Sequence, residues 1–151
     1  MTDAMDSATA TSFVHAAVPG VGRMGVVVEA VEPGYVRLRM PIEGNGNHMG
    51  TMYAGALFAI AELPGGILPL TTLSNGLVPI VADMAITFRR AARTDVFLEA
   101  RIDPDELRHL GDVAIAEGKA TFELNLTIVD EAGAEVATTK ATYQLRPPKS
   151  D

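Results

Sequence analysis

The segment from Tyr53 to Leu63, Y-A-G-A-L-F-A-I-A-E-L, is apolar or small at every position except Glu62. A helix at a protein surface carries a polar face, and this one has none. It must be enclosed, by its own domain or by a membrane. A carboxylate in such surroundings is costly unless it finds a partner, is neutralised or performs chemistry. The chain therefore has to wrap a helix on all sides and to account for Glu62.

A membrane does not suit the segment. The longer apolar run from Met52 to Leu73 contains Glu62, Pro64, Gly65-Gly66 and Pro69, which would leave a charge and broken backbone in hydrocarbon. Burial within protein is the expectation. A chain of 151 residues, 48% of them hydrophobic, is enough for one domain with a sizeable core. The absence of cysteine excludes disulfides, thiolate catalysis and cysteine-ligated metals, and fits a reducing cytoplasm, the expected location. A net charge of −7 argues against nucleic acid as a partner. His15, His48 and His109 are scattered without ligand spacing, so no metal is expected. Residues 1–12 are rich in Ala, Thr, Ser and Asp without Lys or Arg, unlike a signal or transit peptide, and are read as a disordered tail.

The remaining chain alternates turn signals with apolar periodicity. Phe13 to Val18 is a short apolar start closed by Pro19-Gly20. Val21 to Val31 and Tyr35 to Met40 read as two strands joined by the turn Glu32-Pro33-Gly34. A Gly- and Asn-rich loop from Pro41 to Gly50 precedes the helix, with Thr51 as its expected N-cap and Pro64-Gly65 as its stop. Ile67 to Leu73 adds a short helix. Four strands are expected after it, at Leu77 to Phe88, Val96 to Ile102, Ala114 to Val129 and Glu135 to Leu145. Asp103 to Gly111 reads as a charged connection and Asp130 to Gly133 as a hairpin tip.

Two strands, one enclosed helix and four strands define an α+β architecture. An antiparallel sheet of about six strands wraps around one central helix, in a single domain over 13–147 with a tail at 148–151. Such a sheet covers only part of a helix, and a second copy of the chain would supply the rest.

The residues N47-x-x-G50-x-x-Y53-A54-G55 followed by E62, in this layout, resemble the hotdog-fold thioesterases. The resemblance spans about residues 20–146 and is nearest to the phenylacetate-pathway (PaaI-like) and 4-hydroxybenzoyl-CoA thioesterase group. There the helix opens with His-Gly-Gly and carries Asp or Glu; here Tyr53-Ala54-Gly55 stands in the first place and Glu62 in the second. The resemblance implies hydrolysis of an acyl-CoA or other acyl thioester, with coenzyme A as part of the substrate and no separate cofactor. It also implies a homodimer or a dimer of dimers in which one subunit's helix N-terminus faces the other's carboxylate.

The residues fit that chemistry on physical grounds. The first N–H groups of a helix are unpaired and carry the positive end of its dipole. Those of Ala54 and Gly55 are therefore candidates to polarise a thioester carbonyl, and Glu62 to act as base or nucleophile. Gly55 and Glu62 lie about 10 Å apart along the helix axis, too far for one helix to bring both to one carbonyl. Asn47 joins Glu62, Ala54 and Gly55 as a candidate catalytic residue; Tyr53, Phe58 and Phe88 are candidates to contact substrate, and Arg89 and Arg90, clustered with Arg93, to meet its phosphates. Plainer readings stand beside each. Glu62 could pair with an arginine, Asn47 serve as a turn residue, Tyr53 pack in the core, and the arginines form a solvated strand end. Two other functions share the expected fold: a dehydratase using His48 with Glu62, and a non-catalytic acyl-binding module.

Overall fold

The computed structural model describes residues 5–150. Six antiparallel strands form one sheet: β1 (Val27–Glu32), β2 (Tyr35–Met40), β3 (Val78–Phe88), β4 (Val96–Arg101), β5 (Ala120–Asp130) and β6 (Glu135–Arg146), in the spatial order β1-β2-β4-β5-β6-β3. Alternation decides which side faces inward. Along β5, Phe122, Leu124, Leu126 and Ile128 are buried while Thr121, Glu123, Asn125 and Thr127 face solvent. Helix α3 (Ala54–Glu62) lies in the sheet's concavity, with Ala56, Leu57, Ile60 and Ala61 buried. β4 and β5 pair at only two positions, Val96 with Asp130 and Phe97 with Val129, and β5 then continues along β6. This short junction lets the sheet curl around α3.

The expected stop at Pro64 is a bend instead. Leu63 keeps right-handed helical angles (φ −60°, ψ −40°), and α4 (Pro64–Thr72) continues from it. Proline is tolerated at the first position of a helix, where its missing N–H has no intrahelical partner anyway. The run Ala54–Thr72 is apolar and long enough to cross a membrane by length and composition, and just over half of it is buried inside the fold.

Three other expectations are corrected. The N-terminal tail expected through residue 12 is helical from Ser7: α1 spans Ser7–Ala17, started by Asp6, whose carboxylate accepts from the Thr9 N–H at 2.7 Å. Residues 1–4 of that tail lie outside the described residues. The first strand begins at Val27 rather than Val21, because Pro19–Met24 forms α2, closed by Gly25 in a left-handed conformation. Ala114–Glu117 is not strand but the last turn of α5 (Pro104–Glu117). Asp103 caps that helix through the N–H groups of Asp105 and Glu106, and Gly118 ends it. These caps override the apolar residues that suggested a longer strand.

The two edges of the sheet are treated differently. On β1, α1 satisfies edge groups directly: the Thr11 hydroxyl accepts from the Val28 N–H at 2.9 Å, and His15 Nε2 sits 2.7 Å from the Val26 carbonyl. On β3, the described residues make no main-chain hydrogen bond beyond the ladder with β6. Val78, Ile80 and Phe88 are exposed along that open strand.

Candidate active site

Two groups of candidate residues lie at opposite ends of α3. At its start, Tyr53 occupies the N-cap position with extended angles and no side-chain cap. Thr51, expected there, is buried and is instead tied to Asn47. The Asn47 Oδ1 accepts from the N–H groups of Met49 (2.9 Å) and Thr51 (3.1 Å), and its Nδ2 donates to the Thr51 hydroxyl at 2.9 Å. Asn47 thus holds its own loop closed, as the turn reading has it.

Among the described residues, the N–H groups of Ala54 and Gly55 have no protein acceptor. They differ in access. Ala54 is exposed, whereas the Tyr53 ring lies against Gly55, where an added Cβ would come 2.4 Å from the ring. The close approach to the Gly55 backbone is thus made by the chain's own tyrosine, and Tyr53 is itself 55% exposed rather than packed in the core.

The arginine cluster joins this end. Met52 donates to the Ala92 carbonyl at 2.8 Å, so the segment after β3 abuts the start of α3. Arg89 and Arg90 are exposed, their main-chain N–H groups both turned to the Val136 carbonyl. The Arg89 side chain makes only a loose, exposed contact with Glu135 at 3.8 Å, the kind of pair that contributes little. Phe88 (53% exposed) stands beside them, while Phe58 (41%) is exposed on α3 itself. His48 is exposed in the loop before the helix.

Glu62 is at the other end. It is half-buried and, among the described residues, has no ion pair and no side-chain hydrogen bond. The arginine pairing considered from sequence is absent among them. Burial pushes its carboxyl above the ordinary glutamate value. Beside it opens a groove of about 470 Å³ between α1, α4 and the start of β3, lined almost wholly by apolar side chains. The sequence reading missed this groove because its outer wall is the last turn of α1, where Phe13 to Val18 reads only as a short apolar start and the residues before it as a tail. The Asp6 cap was the available signal. Among the described residues, no group of three His, Asp or Glu side chains stands close enough to hold a metal ion.

An antiparallel sheet wrapped around a central helix is the hotdog fold, and the comparisons agree. A family described as "Domain of unknown function (DUF4442)" matches residues 7–145; the chain belongs to that family, within the hotdog thioesterase superfamily. Among solved structures, a Pseudomonas aeruginosa protein of unknown function, titled a "probable thioesterase", is 47% identical, with a TM-score of 0.86 over 94% of this chain and 96% of that one. A thioesterase from Haemophilus influenzae is similar in fold (14% identity, TM-score 0.73, covering 95% and 92%). So is zebrafish thioesterase superfamily member 2 (20% identity, TM-score 0.67, covering 93% and 98%). No curated protein matches the sequence.

Proposed function

We propose that the protein is an acyl thioester hydrolase, with acyl-CoA as its substrate, working as a homodimer with sites shared between subunits. The observation that carries this reading is Glu62: a half-buried carboxylate without a partner, with a raised pKa, at the edge of an apolar groove. Burial makes such a carboxylate a stronger base than an exposed glutamate. The similarity to the 47% identical Pseudomonas protein, a probable thioesterase, supports the reaction class.

The separation within one chain supports the sharing. Glu62 stands eight residues after Ala54, about 12 Å along the helix axis, so an oxyanion donor and a base for one carbonyl must come from different copies. The open edge of β3 offers the contact. A two-fold axis normal to the sheet pairs identical edges antiparallel and sets the Phe88 end of one β3 against the Val78 end of the other. That brings one subunit's arginine cluster and Ala54 turn toward its partner's Glu62 groove. Dimers of this kind can associate further into a tetramer.

In this arrangement the thioester carbonyl accepts from the Ala54 N–H, with Gly55 behind it and a second N–H of Asn47 Nδ2 available. Glu62 of the opposing copy deprotonates the attacking water or attacks directly. The thiolate leaves as coenzyme A, whose phosphates meet Arg89 and Arg90; Tyr53, Phe58 and Phe88 offer apolar contact along its path. The proton that Glu62 takes from the attacking water passes to the departing thiolate and restores the carboxylate; where Glu62 attacks directly, water cleaves the resulting acyl–Glu62 anhydride and supplies that proton. Reduction of a thiol reagent by coenzyme A freed from a panel of acyl-CoAs tests the reading. Wild type should release thiol above buffer and Glu62→Gln should not. Equal release by both would remove Glu62 from the mechanism, and none by either would remove the reaction class.

A further inference from the structure

We infer that the groove beside Glu62 receives the acyl part of the substrate, that this part is an uncharged apolar chain, and that Gly66 sets how much of it is admitted. The inference rests on the thioesterase reading for its chemistry but on the groove itself for its geometry.

The groove has the size of a small-molecule site: about 470 Å³, within the ~300–1,000 Å³ typical of such sites. Among the described residues, Glu62 is the only titratable one lining it. Phe13, Val18 and Leu70, away from the β3 edge, line it and each remains 40% or more exposed. Apolar side chains gathered around one concavity lose that exposure when an apolar ligand enters, which stabilises the complex in proportion to the area covered. A carboxylated acyl group would find no cation there and would face Glu62, so dicarboxylic acyl thioesters are disfavoured.

The floor of the groove depends on an absent side chain. Gly65 and Gly66 are adjacent on α4 but are not equivalent. A Cβ on Gly65 would lie within the Tyr143 ring, 1.9 Å from its nearest atom. A Cβ on Gly66 meets nothing closer than the Pro79 Cγ at 3.9 Å, and Gly66 has no positive φ. Packing therefore explains the first glycine and leaves the second unexplained. Glycine inside a helix is less favourable than alanine. At Gly66 that cost leaves open space beside Glu62. Across the groove, Ala17 on α1 is similarly small and exposed.

Binding of two non-hydrolysable thioethers, S-decyl-coenzyme A and S-ethyl-coenzyme A, tests this without relying on turnover. Wild type should bind the decyl compound at least tenfold more tightly than the ethyl compound. Gly66→Leu should abolish that preference while leaving S-ethyl-coenzyme A unaffected, and Ala17→Phe should do the same from the opposite wall. Gly66→Ala serves as a fold control. Equal affinity of wild type for both thioethers overturns the inference, as does equal loss of both in the variants. A change of oligomeric state in Gly66→Leu also overturns it, by assigning the groove to a contact between copies. A Gly66-dependent preference for the decyl compound in a protein that releases no thiol from decanoyl-CoA would keep the acyl site and reject hydrolysis.

Discussion

The Tyr143 hydroxyl donates to the main-chain carbonyl of Glu62 at 3.0 Å, linking the middle of β6 to the bend that carries the candidate catalytic carboxylate. The bend creates the need for this bond. Gly66 donates to Leu63 rather than to Glu62, so the Glu62 carbonyl lacks its usual helical donor. Tyr143 supplies one, with the Ala61 carbonyl 3.4 Å away and its ring stacked on Phe122 at 5.3 Å. Burial foremost, and then the neighbouring Glu62 charge, push the phenol above its ordinary range, so it stays protonated and remains a donor.

Tyr143→Phe keeps the stacked ring and removes the donor. It should lower unfolding free energy by about 1–2 kcal/mol, read from the urea midpoint at unchanged m-value. Activity should fall as the bend loosens. An unchanged midpoint would show that water replaces the phenol.

Gly65→Ala should be far more damaging than its size suggests. Its methyl group has to displace the ring of Tyr143, the largest fully buried side chain, at a cost of about 3 kcal/mol or more. The neighbouring Gly66→Ala should be neutral or stabilising by up to about 1 kcal/mol. Thermal melts of the two variants side by side check the contrast, and equal melting temperatures would contradict it.

The raised pKa of Glu62 has opposite consequences for stability and activity. Because the folded state holds this proton more tightly than the unfolded chain, its contribution to stability is fully present below the ordinary value of 4.5 and is lost as pH rises through the raised folded value. Glu62→Gln should therefore be more stable than wild type at neutral pH, with the gain vanishing below that ordinary value. Hydrolysis needs the ionised form, so kcat/KM should fall on acidification with a midpoint above the usual glutamate range. Urea titrations and pH–rate profiles measure the two effects.

Ile80→Lys places a charge on the open edge of β3, where Ile80 is 44% exposed. Charge on an edge strand opposes pairing with another edge. The variant should be monomeric by light scattering and lose activity with its fold intact. A dimer that survives the substitution would move the interface elsewhere.

How legible these features were depended on how local their causes are. The all-apolar segment at Tyr53–Leu63 announced an enclosed helix, and the enclosing strands followed from alternation, because both signals repeat along the chain. Pro64 misled, since proline at a first helical position is compatible with a bend as well as a stop. The last turn of α5 was hidden because Ala114 and Ile115 suit either helix or strand, and the caps Asp103 and Gly118 had to decide. The site was legible only in halves. Glu62 and Ala54-Gly55 stood out as residue types, but the covering of Gly55 by Tyr53 is a tertiary contact, and the Asp6 cap could signal helix α1 without showing that it packs beside Glu62.

Sharing of the site between copies is the central claim, and subunit mixing tests it most directly. Ala54 is the first residue of α3 and follows Tyr53 in an extended conformation, so Ala54→Pro deletes the N–H without disturbing the helix. Ala54→Pro and Glu62→Gln homodimers should each lose about 10²–10³-fold or more in kcat. Co-expressed with different tags and purified as heterodimers, they place both defects in one site and leave the other whole. The heterodimer should recover about half the wild-type activity; a heterodimer as inactive as its parents would contradict a site shared between subunits.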